Sequence, residues 1–151
     1  HFNNYIQEDF IMPIIEELIK NEDDGSLSFG NYKLRSKSKL SDFAHKGDLY
    51  KVKTYNEITK LERNGNFVYE SVPGTSVNEF NINNDEISFK VEGEVDAQIT
   101  LGLEEETGYE VFIDNSPMGM MKTNLSGKLV IGVELESGSS VKIKILKAKE
   151  Q

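Results

Sequence analysis

Apolar and polar residues alternate through most of the C-terminal half of the chain. Every second residue is apolar within four runs, residues 87–91, 95–101, 129–135 and 141–145. Because successive side chains of a β-strand point to opposite faces, this pattern predicts antiparallel strands with one buried face and one face in water. Turn-forming residues separate the runs at a spacing of roughly ten residues. Residues 83–147 are therefore predicted to form a β-sandwich-like meander.

The first residues of the chain have a helical period instead. Apolar residues recur at every fourth position while polar residues fill the opposite side: Ile6, Phe10, Ile14 and Leu18. This spacing predicts an amphipathic helix over residues 4–20, within an N-terminal segment of residues 2–25. Pro13 either kinks that helix or marks its true first turn, since proline lacks the amide hydrogen that a helix interior needs.

Residues 26–82 have shorter and less regular apolar runs. Residues 27–34, 49–55 and 77–82 are predicted strands, and Asn64 followed by Gly65 predicts a tight hairpin between two more. Both of these residues tolerate the positive φ that a type I′ turn requires. Taken together, the chain is predicted to be mainly β, an antiparallel β-sandwich or meander with one N-terminal helix.

The chain is strongly acidic, with a formal net charge of −9. Residues 1–75 carry ten Lys and Arg against twelve Asp and Glu, whereas residues 76–151 carry seven against fourteen. Such a surface repels phosphate backbones and anionic lipid, so we expect no nucleic-acid partner. One run departs from this trend, Lys33, Arg35, Lys37 and Lys39, and its alternation is typical of the solvated face of a strand or of an extended loop.

Cysteine is absent from the 151 residues, which excludes disulfides, thiolate metal sites and cysteine nucleophiles. The composition fits the outside of a Gram-positive cell and does not exclude the cytoplasm. No apolar run has the length of about 18 residues that a membrane span needs. The chain starts with His1 and Phe2 in place of an initiator Met. We therefore expect it to be an excised part of a larger protein.

Few residues are candidates for catalysis. Ser41, Asp42 and His45 are close in sequence, but they fall in one polar stretch, without the strained turn that presents a nucleophile. Residues 104–106 are three consecutive glutamates, and neighbours in one turn do not converge on a substrate bond as a glycosidase pair must. The sequence therefore predicts no catalytic residue and no resident cofactor.

Two turns carry oxygen ligands that suit calcium. The first contains Asp23 and Asp24, although its spacing does not fit an EF-hand loop. The second contains Asp114, which would need Asn124 from the following turn to face it. Asn and Asp are also common in turns that bind nothing, and this interpretation is favoured.

Sugars stack on exposed aromatic rings, and four residues are candidates for such a platform: Tyr32, Tyr50, Tyr55 and Phe112. The alternative is that the tyrosines are half-buried strand residues. Phe112 and Val130 point away from their apolar neighbours and, with Met118, Met120 and Met121, would form an apolar patch. We expect the N-terminal helix to cover this patch, although docking of another domain is the alternative.

Three stretches of the C-terminal part, residues 109–119, 122–129 and 138–145, follow a pattern of turns and strands. This pattern resembles accessory β-sandwich modules of clostridial-type extracellular carbohydrate-active or surface proteins. The resemblance implies a bacterial, cell-surface, carbohydrate-associated setting, and it brings no binding residue with it.

The sequence thus favours a non-catalytic accessory β-module of a larger bacterial protein. It would pack on a neighbouring domain or make weak contact with glycan or another surface protein. Two alternatives stay open. A truncated helix leading into a sheet is similar to a pilin or pseudopilin subunit, and a glycan-active enzyme fragment would require a carboxylate cluster from separate strands.

Overall fold

A computed structural model describes residues 17–149, and in this part the chain is all β, with no helix. The strands in chain order are β1 Ile19–Asn21, β2 Leu27–Phe29, β3 Ser38–His45, β4 Asp48–Tyr55, β5 Ile58–Arg63, β6 Asn66–Val72, β7 Ser76–Ile82, β8 Glu86–Glu92, β9 Ala97–Gly102, β10 Gly108–Ile113, β11 Ser116–Lys122, β12 Lys128–Val133 and β13 Ser140–Lys147.

The strands form two antiparallel sheets. Seven strands lie in the order β1-β2-β7-β8-β13-β10-β11, and six lie in the order β12-β9-β6-β5-β4-β3. Apolar side chains from both sheets bury one core between them, and Phe29 of the larger sheet meets Tyr69 of the smaller edge to face at 5.3 Å. This arrangement is consistent with a β-sandwich and confirms the prediction of a mainly β fold.

Connections differ between the two halves of the chain. Strands β3 to β6 follow one another as a true meander in the six-stranded sheet. From β8 to β13, however, the chain crosses between the sheets, because β9 and β12 lie in the smaller sheet and the other four in the larger one. The alternating runs there are strands as predicted, but they do not form a single-sheet meander.

The alternation predicted the strand faces correctly. Ile87, Phe89 and Val91 of β8 are buried, and Ile143 and Ile145 of β13 are buried beside them. The lysines between these positions lie on the outer face of the seven-stranded sheet. At Asn64 and Gly65 both φ angles are positive, so the predicted type I′ hairpin joins β5 to β6.

The predicted helix is wrong where the structure describes it. Residues 4–16 lie outside the described residues, but residues 19–21 form strand β1, paired with β2. Leu18 has a positive φ of 72°, which a right-handed helix does not allow, and Ile19 is buried in the core opposite Phe29. Burial between the sheets outweighs the local preference for a helix, since short helices gain little from propensity alone.

The strand predicted over residues 27–34 is also shorter than expected. It ends at Phe29 because Gly30 has a positive φ of 92° and lies against the backbone of Thr75. Beyond it the chain leaves the sheet as a loop up to β3. Lys33 and Arg35 are exposed in that loop, as expected for a solvated basic run.

Polar side chains fill the core at one end of the fold. We call this the hydroxyl network, formed by Thr54, Thr59, Tyr69, Ser71 and Thr75, all of them with no exposed surface. The Thr75 hydroxyl is 2.8 Å from the Tyr69 hydroxyl and 2.7 Å from that of Ser71. The Thr59 hydroxyl donates to the Thr75 carbonyl at 2.7 Å. Burial raises the pKa of Tyr69, so this phenol stays protonated.

Candidate functional site: a cleft at one end of the fold

A cleft of about 490 Å³ opens at the end of the fold opposite the hydroxyl network. Its walls come from both sheets. The β5–β6 hairpin contributes Arg63, Asn66 and Phe67, and the β7–β8 turn contributes residues 82–87. The remaining wall comes from the end of β9, the start of β10 and the loop before β12. The cleft therefore gathers segments that are far apart in the sequence.

The floor of the cleft is apolar. Ile87, Tyr109 and Ile145 line it, and all three are buried. Phe67 is half-buried at the wall, and Nζ of Lys128 lies 4.7 Å from its ring centroid, within the range of a cation–π contact. This aromatic ring and its cation border the opening.

Gly102 is the residue that allows the Phe67 wall to form. A Cβ atom at position 102 would overlap the carbonyl oxygen of Phe67 and press on its ring at 3.0 Å. Glycine is required here by the close approach of two backbones, because its φ is ordinary. Any larger residue would push β9 away from the start of β6.

Amide side chains line the rim. Asn83 has a structural role, since its Oδ1 accepts hydrogen bonds from the amides of Asp85 and Glu86 at 2.9 Å each. Asn66 and Asn84 are exposed, and within residues 17–149 neither side chain makes a hydrogen bond. Each can offer one acceptor and two donor hydrogens to a ligand.

The acidic group best fixed at the cleft is Glu104. Its carboxylate forms an ion pair with Nζ of Lys147 at 2.6 Å, and its backbone amide donates to the Tyr109 hydroxyl at 3.2 Å. Lys147 donates a hydrogen bond to the Glu104 carboxylate, and this bond and the negative charge of the carboxylate raise the pKa of Lys147. The Glu104 carboxylate is thus already paired with Lys147.

The calcium candidates act as turn acceptors. Oδ1 of Asp24 accepts from the amide of Ser26 at 2.9 Å and from its hydroxyl at 2.6 Å, and these bonds lower the pKa of Asp24. Asp23 is exposed in the same turn. Within residues 17–149 no three His, Asp or Glu side chains are grouped to hold a metal ion.

The second calcium candidate does not assemble. Asp114 follows the end of β10 and accepts from the amide of Lys142 at 2.9 Å. Asn124 lies beyond the start of β10, where its neighbour Thr123 bonds to Thr107. The length of a strand therefore separates the two side chains, and they cannot share one cation.

Two of the four candidate aromatic residues are inside the protein. Tyr32 is 5% exposed and Tyr50 is 4% exposed, so neither presents a ring for stacking. Burial and the charges of Glu92 and Glu94 raise the pKa of Tyr32 to about 12. Tyr55 and Phe112 are half-buried on the outer faces of different sheets, and Lys37 Nζ lies 5.9 Å from the Tyr55 ring.

The predicted apolar patch is divided. Phe112 lies on β10 of the seven-stranded sheet, whereas Val130 lies on β12 of the six-stranded sheet, so the two face opposite sides of the molecule. Met118 and Met120 are exposed on β11, an edge strand. The helix expected to cover this patch lies outside the described residues, except for its end, which is β1.

Ser41, Asp42 and His45 lie along β3, an edge strand. Ser41 and Asp42 are exposed at a bulge in the pairing with β4. Nδ1 of His45 donates a hydrogen bond to Oδ1 of the Asn21 side chain. The His45 ring packs edge to face on Tyr50 at 5.6 Å, and burial lowers its pKa. This histidine joins β3 to β1.

Sequence reasoning did not find the cleft residues. It recognised the turns after Arg63 and Ile82 as turns, but not that both lie at one end of the fold. The sequence did offer one signal. Each antiparallel strand reverses the direction of the chain, so alternate hairpins, such as β5–β6 and β7–β8, return to the same end of the fold. No signal in the sequence placed Lys128 beside Phe67.

Comparisons of the chain with family models, with curated proteins and with solved structures found no match. Residues 17–149 contain no helix with the length and hydropathy required to cross a membrane. The cleft and the surfaces of the two sheets are therefore the observations from which a function is inferred.

Proposed function

We propose that this chain is a non-catalytic accessory β-module of a larger extracellular or surface protein and that it contacts a glycan at the cleft. A β-sandwich with loops gathered at its ends holds such a site on a rigid frame. The open cleft, with an aromatic wall and two rim amides that make no hydrogen bond to residues 17–149, is the observation that carries this proposal.

The chemistry of the cleft supports a sugar ligand. A sugar offers hydroxyl groups to amide and carboxylate side chains, and its apolar C–H face lies well on an aromatic ring. Asn66 and Asn84 supply amides that are unpaired within the described part of the chain, and Phe67 supplies the ring once the exposed Lys128 side chain turns aside. Because the cleft is open and its polar contacts are few, we expect weak binding.

The alternatives gain no comparable support. The pilin-like alternative depends on a helix that lies outside the described residues apart from its incorrectly predicted end. The enzyme alternative requires an acid and a base held across one substrate bond. Of the carboxylates that line the cleft, Glu104 is paired with Lys147, and Asp85 and Glu86 are neighbours in sequence at the β7–β8 turn. Packing on a neighbouring domain is compatible with the glycan site, since it would use another surface.

A glycan array followed by titration of the best neutral ligand tests the proposal. The double variant Asn66→Ala/Asn84→Ala removes two exposed amides that bond to nothing else in residues 17–149. We expect about a tenfold loss of affinity, as for two lost ligand hydrogen bonds of about 0.7 kcal/mol each.

Gln98→Ala is the matched control, because it removes an exposed amide from the outer face of β9, away from the cleft. The control should bind like the wild type. Equal losses in both proteins, or a complete lack of glycan binding on the array, would contradict the proposed function.

A further inference from the structure

Four lysines lie side by side on the outer face of the six-stranded sheet. We call Lys39, Lys51, Lys53 and Lys60 the lysine cluster. They come from three adjacent strands, β3, β4 and β5, and line one shallow depression together with Glu62. This cluster shares no residue with the end cleft, and the inference below is independent of the proposed function.

The strand register places like charges directly opposite one another. Lys39 on β3 pairs with Lys53 on β4, and Lys53 pairs in turn with Lys60 on β5. Neighbouring strands lie about 4.8 Å apart, so the three ammonium groups form a row across the sheet. Like charges at directly opposed positions destabilise a sheet. Folding alone therefore gives no reason for this row.

Within residues 17–149 the cluster is only partly neutralised, since the register places one carboxylate, that of Glu62, opposite Lys51. In residues 17–149 the lysines of the cluster form a single ion pair, between Nζ of Lys60 and the Glu62 carboxylate at 3.6 Å. Glu70 follows Lys60 on β6 and ends the row. The chain as a whole has a net charge of −9, so a concentration of four lysines is a clear departure from the surrounding surface.

We propose that the lysine cluster binds an anionic polysaccharide. A row of ammonium groups at the spacing of strands matches a single extended chain that carries a carboxylate or sulfate on successive sugars. The row is one residue wide and is flanked by Glu62 and Glu70. A nucleic-acid duplex, which is far wider, would bring its phosphates against these carboxylates and the acidic surface beyond them.

Polygalacturonate and heparin are suitable probes at low salt, because the first carries only carboxylates and the second also carries sulfates. Dextran is the neutral control, and a short DNA duplex and single-stranded poly(dT) test the nucleic-acid alternative. The variant Lys53→Gln/Lys60→Gln removes the centre of the row. The matched control, Lys142→Gln/Lys144→Gln, removes the same charge from the outer face of β13.

We expect at least one anionic polysaccharide to bind. Its affinity should fall about tenfold in Lys53→Gln/Lys60→Gln and change by less than about twofold in the control. Lys39→Gln, on the edge strand, should give a smaller loss. Thermal unfolding should show Lys53→Gln alone at least as stable as the wild type, since it relieves repulsion from Lys39 and Lys60 and leaves the Lys60–Glu62 ion pair in place. A fall in stability would mean that the lysines are structural and would overturn the inference.

Three other results would also overturn it. They are that neither anionic polysaccharide binds, that both double variants lose affinity equally, or that the DNA duplex or poly(dT) binds more tightly than both polysaccharides. The first two would leave the lysines as a solvated surface, and the third would assign them to nucleic acid. None of these results bears on the end cleft, which Asn66→Ala/Asn84→Ala tests separately.

Discussion

Polar side chains are buried at one end of the two-sheet fold and exposed at the other. At one end the hydroxyl network is buried and its members bond to one another and to the backbone of Thr75. At the other end Asn66 and Asn84 face solvent around the cleft. Buried polar groups must be paired to be tolerated, whereas exposed ones exchange water for a ligand at little cost.

Backbone packing differs between the closed end and the hairpin at the cleft. At the closed end Gly74 lies against the carbonyl of Tyr55, and its amide donates to the Asn56 carbonyl at 3.0 Å. At the cleft end the hairpin residue Gly65 has no atom within 4 Å of the place where a Cβ would lie. Gly102 also meets a backbone carbonyl at the cleft end, so the open space there belongs to the β5–β6 hairpin and not to every segment of that end. Three predictions test this contrast.

The largest effect is expected at Gly74. A methyl group there would clash with the Tyr55 carbonyl, which is backbone and cannot turn away. Gly74→Ala should lower the free energy of unfolding by about 3 kcal/mol in urea denaturation. Gly65→Ala, at the other end of β6, should cost only about 1 kcal/mol for its positive φ. Equal costs would remove the distinction between the two ends.

A smaller effect is expected within the hydroxyl network. Thr75→Val keeps the shape but leaves the hydroxyls of Tyr69 and Ser71 buried without their partner, at a cost of about 2 kcal/mol. Tyr69→Phe should then cost less in the Thr75→Val background than in the wild type. A double-mutant cycle in urea measures this coupling, expected to exceed about 0.5 kcal/mol. Additive costs would mean that the hydroxyls do not act as a network.

The smallest effect has the opposite sign and depends on pH. Glu92 is 1% exposed, and its Oε1 has no hydrogen-bond partner among residues 17–149. Burial raises the pKa of Glu92, against the opposing charge of Lys33. A group whose pKa is raised on folding favours the folded state below the ordinary value near 4.5, and this contribution is lost as the pH rises through the raised pKa.

Glu92→Gln should therefore be more stable than the wild type at pH 7, by on the order of 1 kcal/mol, and no more stable at pH 3 to 4. Thermal unfolding across this pH range measures the difference. Glu94→Gln, an exposed neighbour with the same charge change, should show no such gain at neutral pH. A difference between Glu92→Gln and wild type that does not vary with pH would contradict the assignment to ionisation of a buried carboxyl.

Sequence reasoning predicted strands well where one face is buried and the other is wet. The alternating residues of β8, β12 and β13 follow this rule, because a register slip by one residue would expose the whole apolar set. It was less successful where long-range contacts decide the structure. Val95 fits the alternation before β9 and yet is exposed outside the strand, and Ile19 fits a helix and yet lies in the core.

The two candidate surfaces differ in how far they could be predicted. Part of the lysine cluster was within reach, since the tight turn after Tyr55 places Lys53 opposite Lys60 once both strands are recognised. The cleft was not within reach. Its walls come from both sheets, and the assignment of each strand to a sheet depends on packing between segments distant in sequence.

The amino-acid sequence by itself determined that this protein is acidic, free of cysteine and mainly β, because composition and period-two alternation are local properties of the chain. Only the tertiary structure decided which strands are neighbours, which end of the core contains the hydroxyl network and which end has the cleft. Those features depend on the two sheets burying one core together, and the free energy of that burial belongs to pairs of distant residues, not to any single segment.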